Sequence, residues 1–129
     1  MKTKLITLAN GLVLVAHADY EPPTLEYKKF PDCCGAGEGW QQEIVPDSLF
    51  GICFSPACHI HDDCYDKGEA TWADFHQSNG MFFRNILAII KHVGNILNYF
   101  PALIAAGDYF LAVDTVGAIV YEHLHGELT

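Results

Sequence analysis

At 129 residues the chain can bury one core and is too short for two, and its half-apolar composition excludes an intrinsically disordered polypeptide. Seven Lys and Arg against sixteen Asp and Glu leave a formal charge of −9. That balance argues against a nucleic-acid partner, which needs cations to neutralise phosphates, and against strong electrostatic attraction to anionic membranes.

The first segment, MKTKLITLANGLVLVAHADY, opens with two lysines, runs apolar from Leu5 to Val15 and closes on Ala16-His17-Ala18. These are the parts of a cleavable leader over residues 1–18, which would leave 19–129 as a single secreted or periplasmic domain. A β-hairpin is the competing reading, because Asn10-Gly11 sits between alternating apolar residues. The leader is the expectation adopted. Without Lys2 and Lys4, five basic residues would face sixteen acidic ones, a formal charge of −11.

Residues 19–55 are rich in Pro, Gly and Asp and lack sustained helical periodicity, so they read as loops with short strands. Pro56 can open a helix and Gly68 can end it, predicting a first helix over 56–67. A second helix, 71–92, carries a broad apolar face of Trp72, Phe75, Phe82, Phe83, Ile86, Ile89, Ile90 and Val93. Gly94 and Pro101 punctuate the chain before a third helix over 102–124. Asp108 and Asp114 interrupt its apolar run, so a core helix is expected there and not a membrane span. The fold class that follows is mostly α, with a loop layer at the N-terminal side.

Chemistry concentrates in PACHIHDDCYDKG, residues 56–68. His59 and His61 are two apart on a helix and point to nearly opposite sides, which disfavours a shared zinc or copper ion. His61 and Asp62 are adjacent, ~100° apart around the axis, and can border one cavity. A neutral imidazole suits general-base work near neutral pH, and a carboxylate beside it suits a hard cation such as calcium. Further oxygen ligands would have to come from elsewhere. The loop CCGAGEG, with Gly35, Gly37 and Gly39, is a natural source of inward-turned carbonyls. His59, Asp63 and Asp66 read as the solvated side of the helix, and His76, His92, His123 and His125 as scattered surface residues. Trp40, Phe50, Phe54 and Trp72 are aromatic candidates for an apolar entrance or, more simply, for the core.

The five cysteines, 33, 34, 53, 58 and 64, all precede residue 65, and their odd number leaves one thiol over or paired with another chain.

CHIHDDCY resembles the C-x-x-H-D-x-C-Y helix of secretory phospholipase A2 enzymes, and CCGAG resembles their x-C-G-x-G calcium loop. The wider pattern, CGAGEGW…VPDSLFG…PACHIHDDCYDKG…AD…N, is most similar to a compact bacterial and phage branch of that superfamily. It covers about residues 33–85, with a fainter echo in GDYFLAVDTVGAIVY. The resemblance implies an antiparallel helix pair plus a third helix, with an N-terminal calcium-binding loop region. It implies hydrolysis of the sn-2 ester of glycerophospholipids at a membrane or micelle surface, with Ca2+ as cofactor. His61 would be the general base. Asp62 and the carbonyls of Cys33, Gly35 and Gly37 would bind calcium, and the Gly35 N–H would join calcium at the oxyanion. A Cys34–Cys58 disulfide would join loop to helix, and Tyr65 would hydrogen-bond the aspartate that orients His61.

For that aspartate, counting helical rise outward from a reversal at Gly68 puts Asp74 within ~1.5 Å of the height of His61. Thr71-Trp72-Ala73-Asp74 also reads as a capping box, and Asp108 is the reserve candidate. The likeness has gaps. Ala57 stands where a cysteine is usual, and no cysteine follows Cys64, which can pair with Cys53 or Cys33 or stay free. A catalytically silent module that keeps the scaffold to bind lipid or protein is the alternative function. Oligomeric state is open.

Overall fold

A computed structural model describes residues 1–31 and 48–129 of the protein, with backbone alone at Ser48 and Leu49. Strands β1 (Thr3–Thr7) and β2 (Val13–His17) lead to a 3₁₀ turn (Tyr27–Lys29) and a short pair, β3 (Ser48–Leu49) and β4 (Ile52–Cys53). Four helices follow: α1 (Ser55–Lys67), α2 (Trp72–Val93), α3 (Tyr99–Thr115) and α4 (Gly117–His125). The protein is mostly helical, with two small antiparallel strand pairs among the described residues.

The N-terminal segment forms a hairpin, with Thr3 opposite His17 and Leu5 opposite Val15. Gly11 supplies the positive φ of the turn, 89°, and Asn10 Oδ1 accepts from Leu12 N at 3.1 Å. Side chains alternate as a half-buried strand requires: Leu14 and Ala16 are buried while Val13 is exposed. Asn85 of α2 closes the free edge of β2, its Oδ1 accepting from Val15 N and its Nδ2 donating to Val15 O, both at 2.8 Å. The hairpin thus packs on the helical part of the fold. Ile6, Leu8, Leu12 and Leu14 lie in the main core, each contributing about 1.5–3 kcal/mol by burial.

Helix α1 starts at Ser55 with Pro56 in its first turn, where a missing N–H costs nothing. Gly68 ends it with ordinary extended backbone, φ −68°. Its lack of a side chain matters for space, because a Cβ there would collide with Tyr121 Oη and crowd the Cys64 carbonyl. Four residues then reverse the chain. Thr71 caps α2, its side chain accepting from Asp74 N at 3.1 Å. Contacts run in opposite directions along the two helices: Tyr65 meets Phe75 and Asn79, whereas His61 meets Asn79 and Phe82. The pair is antiparallel.

The expected third helix over 102–124 is two helices, bent by 41° where α3 gives way to α4. Just past the bend, an added Cβ at Gly117 would lie 2.7 Å from Tyr65 Oη, so α4 packs directly against that phenol. The turn also lets Tyr121 donate to Glu69 O at 2.6 Å, tying α4 to the α1–α2 connection. Among the described residues no single helix is long and apolar enough to cross a membrane.

Candidate functional site

His61 and Tyr65 are four apart on α1 and therefore share a face. On α2 the buried stripe runs Phe75, Asn79, Phe82 and Ile86, so Asn79 is a polar residue at an apolar position. Packing the two faces together brings the four groups of the site into contact. His61 Nε2 lies 2.8 Å from Asn79 Oδ1, and Tyr65 Oη donates to the same oxygen at 2.8 Å. Asn79 Nδ2 donates to Val113 O at 3.3 Å and to Asp114 Oδ1 at 3.2 Å, both on α3.

Those four bonds decide where the protons sit. One end of the Asn79 amide faces two oxygens that only accept, so it must be the NH2. The other end is then the carbonyl oxygen, and His61 Nε2 can bond to it only as an N–H donor. The imidazole is the Nε2–H tautomer, with the lone pair on Nδ1. Asn79 satisfies all four of its hydrogen-bonding positions, as a fully buried amide must.

The ring is 8% exposed, stacked on Phe82 at 4.5 Å between centroids and tilted against Tyr65 at 4.3 Å. Burial outweighs the Asn79 hydrogen bond and pushes the His61 pKa down to about 4. At neutral pH the ring is uncharged and able to accept a proton. It is a weaker base than an imidazole paired with a carboxylate, because an amide offers the imidazolium no full negative charge. Burial also raises the Tyr65 phenol, which stays a donor. The Tyr65 carbonyl accepts from His125 of α4, and its ring meets Tyr121 edge-on at 5.0 Å.

Asp74 does not orient His61. It sits in the first turn of α2, where its Oδ2 accepts from Glu69 N at 2.8 Å and its Oδ1 lies 3.6 Å from the amino terminus. The height count failed because it gave residues 69–71 helical rise, whereas they form the reversal. Asp74 is only two residues past Trp72, ~3 Å into α2; Asn79 is ~10 Å in, matching His61 at ~9 Å from the end of α1. Asp108 is solvent-exposed. The aspartate expected to receive Tyr65 is replaced by Asn79, and the nearest carboxylate in the bonded chain is Asp114.

Asp62, the expected carboxylate ligand of calcium, is half-buried beside His61. Calcium takes six to eight oxygens, and among the described residues no three His, Cys, Asp or Glu side chains cluster to hold a metal. Cys33, Gly35 and Gly37, the expected carbonyl ligands, lie outside the described residues, as do Cys34 and Trp40. Cys58 is disulfide-bonded, whereas Cys53 and Cys64 are free thiols. Burial raises the Cys64 thiol to about 11, so it is inert at neutral pH.

Three further expectations change. His59 is not on a solvated face: its Nδ1 lies 2.7 Å from Tyr20 Oη and its ring packs edge-on against Phe30. Asp63 pairs with Lys67 at 2.9 Å. Of the aromatic candidates, Phe54 is core, while Phe50 and Trp72 are about half exposed. His76 is a surface residue, yet its Nδ1 lies 2.7 Å from Asp114 Oδ1, which extends the chain of contacts from His61 to the solvent. Comparison of the chain with family models, with curated proteins and with solved structures gives no match.

Proposed function

We propose that the protein is a calcium-dependent hydrolase of phospholipase A2 type, acting on the sn-2 ester of glycerophospholipids at a membrane or micelle surface. The observation that carries the reading is the sharing of Asn79 Oδ1 by His61 Nε2–H and Tyr65 O–H. A histidine fixed by an acceptor on its far nitrogen, with a tyrosine on the same acceptor, is what the resemblance of CHIHDDCY leads one to expect around the general base. Here the acceptor is an amide.

In this mechanism His61 Nδ1 takes the proton of a water molecule as that water attacks the ester carbonyl, and returns it to the glycerol oxygen as the acyl C–O bond breaks. Asn79 holds the ring in the tautomer that makes this possible, and Tyr65 fixes Asn79. Asp62, with carbonyls of Cys33, Gly35 and Gly37, would hold Ca2+, and the Gly35 N–H would face the developing oxyanion. Bound calcium would supply Lewis-acid stabilisation of that charge. No acyl-enzyme is involved, because water is the direct nucleophile. The Cys34–Cys58 bridge would hold the loop to α1.

A second reading is favoured by the burial of His61 and the neutrality of Asn79: a catalytically silent module that binds lipid or a protein partner through the same scaffold. Fatty-acid release from mixed phospholipid vesicles, with and without millimolar calcium, separates the two. Calcium-dependent release supports the hydrolase. Vesicle binding without release, at any calcium concentration, supports the silent module.

A further inference from the structure

In the sequence Asp114 shows only as a charge that interrupts the apolar run of the expected third helix. Yet it is the only carboxylate bonded to the Asn79–His61–Tyr65 cluster among the described residues. We propose that Asp114 is a positioning residue: by accepting from Asn79 Nδ2 it locks the amide orientation, and so holds His61 in the Nε2–H tautomer with Nδ1 open to a proton. The catalytic value of that lock rests on the hydrolase reading; the lock itself does not.

The geometry leaves the amide two orientations. In the observed one, its NH2 faces Asp114 Oδ1 and Val113 O, and its oxygen faces two donors. Rotated by 180° about its last torsion, the amide would turn its oxygen toward two acceptors and its NH2 toward His61 Nε2. That nitrogen would then have to give up its proton and accept, moving the ring proton to Nδ1 and blocking the atom that the mechanism uses. Val113 O alone, at 3.3 Å, is a long partner. Asp114 Oδ1 adds a charged acceptor at 3.2 Å, and that oxygen is itself held by His76 Nδ1 at 2.7 Å. Oδ1 of Asp114 is therefore pinned from the solvent side by one ring and presented inward to the amide that sets the other.

Nitrogen NMR of the His61 side chain tests the proposal without any turnover. In the unaltered protein at neutral pH, Nε2 should read as the protonated ring nitrogen and Nδ1 as the bare one. Asp114→Ala should lose that pattern to a mixture of tautomers. Asp114→Asn keeps one acceptor oxygen for Asn79 Nδ2 while removing the charge and turning the other oxygen into an NH2 group, and should restore the pattern. If the hydrolase reading holds, kcat on vesicles falls on the order of tenfold in Asp114→Ala, with KM unchanged and recovery in Asp114→Asn. An unchanged tautomer in Asp114→Ala overturns the proposal, as does equal loss in both variants. A Nδ1–H tautomer in the unaltered chain overturns it with no variant needed. Absence of fatty-acid release from the wild type removes the hydrolase reading, and the tautomer measurements still decide the role of Asp114.

Discussion

His61 donates its Nε2–H to Asn79 Oδ1 across 2.8 Å, linking the sixth residue before the end of α1 to the seventh after the start of α2. Neither residue carries charge at neutral pH, and both are buried. The bond therefore acts as a geometric constraint more than as an electrostatic one. It fixes which imidazole nitrogen is bare.

Asn79→Leu keeps the branching and heavy-atom count of the side chain and removes the amide. It leaves His61 Nε2–H and Tyr65 O–H unpaired at a buried position and takes a donor from Val113 O, while Asp114 Oδ1 keeps His76, at a cost of about 3 kcal/mol. Urea unfolding of wild type and variant measures this. A change within ~0.5 kcal/mol, the range of ordinary surface substitutions, would contradict the network.

Gly117→Ala should destabilise although alanine is the better helix former by about 1 kcal/mol. The new methyl would lie 2.7 Å from Tyr65 Oη and must push the phenol away from Asn79, a net cost of about 1–2 kcal/mol. In a Tyr65→Phe background the obstructing oxygen is gone, and the same substitution should become neutral or stabilising. A double-mutant cycle on unfolding free energy reads the difference. Equal effects in the two backgrounds would break the link between α4 and the site.

Stability should fall in acid through His61. Its folded pKa, about 4, lies below the unfolded value of 6.5, so the unfolded chain binds more protons between those limits. The contribution is fully present above the unfolded pKa and is lost as pH falls toward the folded one. About 2 kcal/mol should go between pH 7 and pH 5. His61→Gln cannot titrate, so its unfolding free energy should drop by that much less over the same interval. Parallel pH profiles would show that the ring is not depressed.

Leu14→Ala tests the place of the N-terminal hairpin. Leu14 is fully buried, and truncating such a leucine costs about 2–5 kcal/mol. Were residues 1–18 no part of the folded domain, the substitution would leave the melting temperature where it was.

Much of the scaffold can be read from the chain. Pro56 and Gly68 bound α1, Thr71 caps α2, and the Phe75-to-Ile90 stripe gives the face that α2 buries. Asn10-Gly11 announces a hairpin, but the same apolar run has the composition of a leader. The contacts that hold the hairpin are remote in sequence: the Asn85 amide on Val15 and the core packing of Leu12 and Leu14. Asn79 carries a signal of its own, a polar residue four after Phe75 and three before Phe82. Asp74 matches the height of His61 only if residues 69–71 rise as helix, and they form the reversal. The close packing at Gly117 is not local either, since its neighbour is the Tyr65 hydroxyl fifty-two positions away. Asp114 stands out only as a charge in an apolar run, because its partners, Asn79 and His76, are both on α2.

Fatty-acid release by His61→Gln, set against the wild type on the same calcium-loaded phospholipid vesicles, probes the mechanism at its base. The account predicts that release is calcium-dependent in the wild type and lost in the variant, with helix content retained. Release by the variant at the wild-type rate would contradict it.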